Sequence, residues 1–162
     1  MKTLFLVRHA KSSRDDPALP DKKRPLNSRG MRDAPRMGER LAKDGVKPDL
    51  IVSSPAVRAL TTAELIAKEL DYELTDIVVD QRLYAAAADD LLAVIHERGG
   101  KRKHLMLFGH NPELTELAHS LSSDITDMPT CAVAEFRFDI KSWSDVGNQP
   151  PAKVKLSYPK DS

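Results

Sequence analysis

The chain has 162 residues, 41% of them hydrophobic and 30% charged, which is enough to bury one core under a well-solvated surface and argues against wholesale disorder. Lys and Arg number 25 against 24 Asp and Glu, so the net charge of +1 removes the broad basic field that drives non-specific nucleic-acid binding, and any anion recognition must be local. A lone cysteine, Cys131, excludes an internal disulfide, and the start MKTLFLVRHAKSS has only a short apolar run before an Arg-His pair; secretion and membrane spanning lose support, and a cytoplasmic single domain over 1–162 is expected.

Short apolar runs alternate with stretches of helical spacing, the pattern of βα units feeding a parallel sheet. Residues 3–7 (TLFLV) read as a buried strand, followed by a long loop, 10–26, rich in Asp, Lys, Arg and Pro. From Ser28 a helix is expected, capped by Asn27 or Ser28, with Met31, Ala34, Met37 and Leu41 on its apolar face and Gly45 closing it. Pro35 within it calls for a kink or a later start. Residues 50–52 form a second strand, and Pro55 is expected to open the helix carrying Val57, Leu65, Ile66 and Leu70.

A brief third strand at 77–79 leads to a helix near 89–97 that ends in Gly99-Gly100; a fourth strand at 105–108 precedes a helix started by Pro112. The tail changes character: 132–138 and 154–158 alternate apolar with polar residues, which predicts edge strands that are at least partly antiparallel. The expected architecture is a three-layer α/β/α sandwich on a mostly parallel sheet, with an antiparallel C-terminal edge strand.

In open α/β sheets, ligands bind beyond the carboxyl ends of the parallel strands. Strand one ends in Arg8-His9, strand two runs into Ser53-Ser54-Pro55 with Arg58 beyond it, and strand four ends in Gly109-His110-Asn111-Pro112. Singly, each residue has an ordinary structural explanation: a hydrogen-bonded histidine, a solvated arginine, a helix cap. Jointly they place two imidazoles and two fork-shaped guanidinium donors at one sheet edge, beside helix starts that favour anions. A phosphoryl site follows. No HExxH or Cys/His metal spacing is present, and Asp15, Asp16 and Asp21 read as a solvated charged loop; no metal and no cofactor are expected. Walker A and GxGxxG loops are likewise missing.

The segments LFLVRHAKS, SSPAVRALTTAELI and LMLFGHNPEL together resemble the histidine phosphatase superfamily, with its phosphoglycerate mutase-like fold, over residues 2–120. The short chain and the RPLNSRG segment resemble its small phosphohistidine phosphatases of the SixA type, which lack a helical cap domain. The resemblance implies that His9 is the nucleophile, that Arg8 and Arg58 bind phosphate, that His110 is the second histidine of the pocket, and that Arg24 borders the anion site. Two departures stand out. Ala10 replaces the usual glycine after Arg-His, and Gln81 falls where many members keep an acidic glutamate, leaving Asp80, Asp89 or Asp90 as substitutes.

The mechanism so implied is covalent: neutral His9 attacks phosphorus, Arg8, Arg58 and a protonated His110 hold the oxygens, and water hydrolyses phospho-His9. A missing acid matters less for a phosphoramidate, which loses a comparatively good imidazole leaving group. The expected substrate is therefore phosphohistidine on a protein such as a histidine phosphotransfer domain. The alternatives are a phosphatase of small phosphomonoesters and a non-catalytic phosphate-binding module. No nucleic-acid or membrane partner is expected, and a monomer is the simpler oligomeric state.

Overall fold

The computed structural model describes residues 1–159. Among them, a six-stranded sheet has the order β3-β2-β4-β1-β5-β6, with β1 at Lys2–Arg8, β2 at Leu50–Ser53, β3 at Val78–Val79, β4 at His104–Gly109, β5 at Val133–Phe138 and β6 at Lys153–Ser157. The first four strands are parallel. β5 lies inside the sheet, antiparallel to β1, and β6 pairs antiparallel with it at the edge. The C-terminal antiparallel portion is thus two strands deep.

Buried on both faces, the parallel strands read as unbroken apolar runs whose alternate residues enter separate cores. Leu4, Leu6, Leu50, Val52, Leu105 and Leu107 join Leu91, Ile95, Leu114 and Leu117 on one side. Those four come from α3 (Ala88–Arg98) and α4 (Glu113–Leu121). Phe5, Val7, Ile51, Met106 and Phe108 join Ala34, Met37, Ala63 and Ile66 on the other. That layer is α1 (Ser28–Lys43) and α2 (Val57–Glu69). The result is the expected α/β/α sandwich.

α1 starts at Ser28, where the Asn27 side chain accepts from the Gly30 N–H, and it runs through Pro35 without a later start. Met31 departs from the expected apolar face, being 47% exposed. α2 begins at Val57 rather than Pro55, because the Ser54 Oγ takes the Ala56 N–H and Ala56 keeps an extended backbone while the chain turns over the sheet end. α4 begins at Glu113, capped by the Asn111 carboxamide, which accepts from the Thr115 N–H. His110 is therefore not the cap of that helix.

Candidate active site

The ends of β1, β2 and β4 meet at one edge of the sheet, where His9, Arg58, His110 and Arg24 are each no more than 9% exposed. The His9 and His110 rings lie 5.2 Å apart between centroids. Three bonds fix the His9 backbone region: His9 N–H to the Gly109 carbonyl, Cys131 N–H to the His9 carbonyl, and Ala10 N–H to the Thr62 hydroxyl. Thr62 in turn donates to the Arg58 carbonyl at 2.7 Å, tying the loop after β1 to the arginine's helix.

The His9 Nδ1 lies 2.7 Å from the Ala10 carbonyl, an acceptor only, so Nδ1 carries the proton and Nε2 keeps its lone pair. Burial, followed by the charges of Arg58, Arg8 and Arg24, pushes the His9 imidazole down to about 4 despite that carbonyl. Burial and the neighbouring His9 and Arg58 likewise push His110 down to about 3. Desolvation among guanidiniums thus penalises both charged rings, and works against the expected pairing of a neutral with a protonated histidine. His110 has another way to present a donor. The Ser54 Oγ, 2.8 Å from His110 Nε2, accepts from the Ala56 N–H and has its own proton to give; when that proton goes to Nε2, the neutral ring carries its own on Nδ1.

Arg8 donates through Nη1 to the Met128 carbonyl at 3.0 Å. Arg58 is held along one edge by Asp21, Nη1 on its carbonyl at 2.7 Å and Nη2 on Oδ2 at 3.0 Å. Asp21 also takes Arg24 Nε on Oδ1 at 3.0 Å and the Tyr84 hydroxyl on Oδ2 at 2.7 Å. These donors, Tyr84 first, hold the Asp21 carboxyl well below the usual range. Tyr84 then presents its ring to the His110 edge at 5.6 Å. Among the described residues, the buried side-chain polar atoms without any partner are Arg8 Nε, Arg58 Nε and His110 Nδ1.

The carboxylates considered as proton donors lie elsewhere. Asp80 is buried between Arg82 and Arg98, and Arg82 above all holds its carboxyl at about 2. Asp90 accepts from the Ala87 N–H at the start of α3, and Asp89 and Gln81 are exposed, Gln81 on Lys22. Burial pushes the Cys131 thiol up to about 12, so it is not a nucleophile. No group of three or more metal-ligating side chains occurs among the described residues, and no helix there is long and apolar enough to cross a membrane.

Sequence reasoning passed over Asp21 and Tyr84 as site residues. For Asp21 a signal existed: Asp21 and Arg24 stand three apart in DKKR, and the 3-10 turn at Asp21–Lys23 brings such positions onto one side. Tyr84 had none: it stands between the 3-10 turn at Gln81–Leu83 and Ala85, whose φ of 52° no sequence pattern announces.

Residues 4–94 match the model of the histidine phosphatase superfamily (branch 1). An uncharacterized chloroplastic protein of Arabidopsis thaliana is 31% identical over 152 residues, covering 89% of this chain and 70% of that protein. The chain belongs to the histidine phosphatase superfamily, and that membership supports phosphatase activity. Among solved structures it is similar to one assigned provisionally as the phosphohistidine phosphatase SixA of Agrobacterium tumefaciens, with a TM-score of 0.79, 26% identity, and coverage of 87% of this chain and 94% of that one. It also shares the fold of the protein histidine phosphatase SixA complexed with tungstate, with a TM-score of 0.77, 21% identity, and coverage of 96% and 94%.

Proposed function

We propose that the protein hydrolyses phosphohistidine on a protein surface through a covalent phospho-His9 intermediate. The observation that carries this reading is the trio of buried, unpartnered atoms. Two guanidinium Nε–H donors and His110 Nδ1, which must find acceptors to offset the cost of burial, suit the oxygens of one tetrahedral dianion. That a SixA structure was obtained with tungstate, itself a tetrahedral oxyanion, supports such a pocket.

In the first step the His9 Nε2 lone pair forms a bond to phosphorus as the P–N bond to the substrate imidazole breaks. The leaving imidazole takes that electron pair and departs neutral if its other nitrogen is already protonated. Arg8, Arg58 and His110 hold the equatorial oxygens, and the dianion's charge offsets the penalty that keeps His110 neutral in the free pocket. Water then attacks phosphorus, releasing inorganic phosphate and restoring His9. Arg24 contributes from the border of the site through Asp21. With Asp80 locked to arginines, Asp90 capping a helix, Asp21 strongly ionised and the buried Glu113 taking the Ala86 N–H, none of these carboxyls is set up to protonate an alkoxide leaving group, which favours P–N over P–O substrates.

Comparing kcat/KM for a phosphohistidine protein with that for sugar and nucleotide phosphates tests the reading. A strong preference for the phosphoramidate is expected. A preference for the esters would make this a phosphomonoesterase, and phosphate binding without turnover of any substrate would make it a binding module.

A further inference from the structure

Beside the phosphoryl site a second pocket of about 300 Å³ opens, with Arg8 at one end and Asn27, Thr130 and segment 11–15 as its walls. It shares Arg8 with the catalytic centre, so a group seated there would be joined closely to the phosphoryl group. Its walls are hydroxyls, an amide and charges, with no aromatic or branched aliphatic side chain, which suits neither a nucleobase nor an acyl chain.

The walls are held in place before anything binds. Asn27 N–H donates to the Lys11 carbonyl, Ser13 N–H donates to the Pro25 carbonyl, and Ser12 bridges to Leu26. Gly30 of α1 packs so closely on the Lys11 carbonyl that a Cβ there would collide with it. Arg24 reaches across to Ser12 Oγ and the Ser13 carbonyl at 3.0 and 3.2 Å, coupling this wall to the Asp21 and Arg58 network.

Lys11 and Arg14 are exposed, and no carboxylate pairs with either among the described residues. The carboxylate of Asp15, also in the lining, is in no ion pair among the described residues, so the pocket with Arg8 carries three cations against one anion. On a chain with a net charge of only +1, that local excess is a departure from the average surface.

We propose that this pocket is a recognition subsite for an acidic side chain flanking the phosphohistidine of a protein substrate. It rests on the phosphohistidine reading and adds the chemistry of the partner: a carboxylate next to the modified residue, read by Lys11 and Arg14 while Arg8 stays on the phosphoryl oxygens. The contact is electrostatic and partly solvated, so it acts as a preference that fades with ionic strength.

The test uses two pairs of phosphopeptides, one carrying phosphohistidine and one phosphoserine, the members of each pair differing only in Glu or Ser at the flanking positions. For the wild-type protein, kcat/KM on the acidic phosphohistidine peptide is expected to exceed that on its neutral partner by about fivefold to tenfold at low salt. In a Lys11→Glu/Arg14→Glu variant this ratio falls to about one or below, the neutral peptide serving as internal reference for the fold and chemistry. Equal rates on both members in the wild type, or a preference that survives in the double variant, would overturn the subsite. Turnover of the phosphoserine pair alone would instead refute the phosphohistidine reading, and the flank ratio within that pair would still decide the subsite.

Discussion

The two ends of the sheet contain many of the same residue types and treat them differently. At the end where β1 and β4 begin lies the larger cavity, about 850 Å³, bordered by Lys47, Lys103, His104, Arg137 and Lys155. Its side chains lie mostly in solvent and three of them have partners: Lys155 with Asp44, Arg137 with Glu135, and the His104 ring with Asp49. At the other end His9, Arg58 and His110 are almost wholly buried, and the three partnerless buried polar atoms among the described residues belong to Arg58, His110 and the adjoining Arg8. Cavity size therefore does not locate the chemistry here. What marks the site is desolvated charge with donors left over, because burial is what strengthens electrostatics and shifts pKa values.

If that contrast is right, substitutions at the buried end should be costly and those at the exposed end nearly silent. His9→Ala is expected to lower kcat by at least ~10³-fold while inorganic phosphate still binds, measured by steady-state kinetics and calorimetry on one preparation. Arg58→Ala removes a donor aimed at the developing charge and should cost about 10²–10³ in kcat/KM. Arg58→Lys, which keeps the charge but loses the fork, should recover little of it.

The depressed histidines give the buried end its own pH signature. With His9 at about 4, the proposed nucleophile remains neutral through pH 5–6, so the acid limb of kcat/KM should fall nearer 4 than the 6.5 of an ordinary imidazole. The same shift is written into stability. The unfolded chain takes up a proton at this site as the pH drops below 6.5 and the native protein does not until about 4, so stability is complete above 6.5 and declines across that window. His9 contributes on the order of 2–3 kcal/mol to that decline, and urea unfolding of the wild type and of His9→Ala at pH 7 and 4.5 should show it shrinking in the variant.

Legibility from sequence divides along the same lines. The strands, the two-sided burial and the convergence of Arg8, His9, Arg58 and His110 were readable, because unbroken apolar runs specify buried parallel strands and topology then brings their carboxyl ends together. What fixes those groups was not. Asp21 stands in a short 3-10 turn within a long loop and bonds Arg58 across 37 residues of sequence, and Tyr84 precedes an alanine in a backbone conformation that propensity disfavours. Met31 fits the helical period yet lies in the open, because periodicity reports a face and cannot say how far the neighbouring layer extends over the helix end. The burial that disfavours a protonated His110 was equally hidden: the sequence names the imidazole, and only packing shows how little water reaches it.

Asp21→Asn makes the distinction finer. The amide oxygen can accept from only one of Arg58 and Arg24, which bond separate oxygens of the carboxylate, and the site loses a negative charge, so kcat should fall about three- to tenfold while inorganic phosphate inhibits at lower concentration. Loss of phosphate binding instead would mean that Asp21 only builds the loop. At the exposed end, Lys155→Ala should leave kcat/KM within about twofold and stability within about 0.5 kcal/mol, since its partner Asp44 is itself solvated.

The most direct trial of the account is acid-labile phosphoryl trapping. The protein is mixed with a labelled phosphohistidine donor and quenched within a turnover; the label is then located by peptide mapping, with phosphorus NMR to tell the two ring nitrogens apart. The bond between His9 Nδ1 and the Ala10 carbonyl requires the phosphoryl group on Nε2 of His9. Label on His110, on Nδ1 of His9, or no protein-bound phosphoryl group under conditions of steady turnover would contradict it.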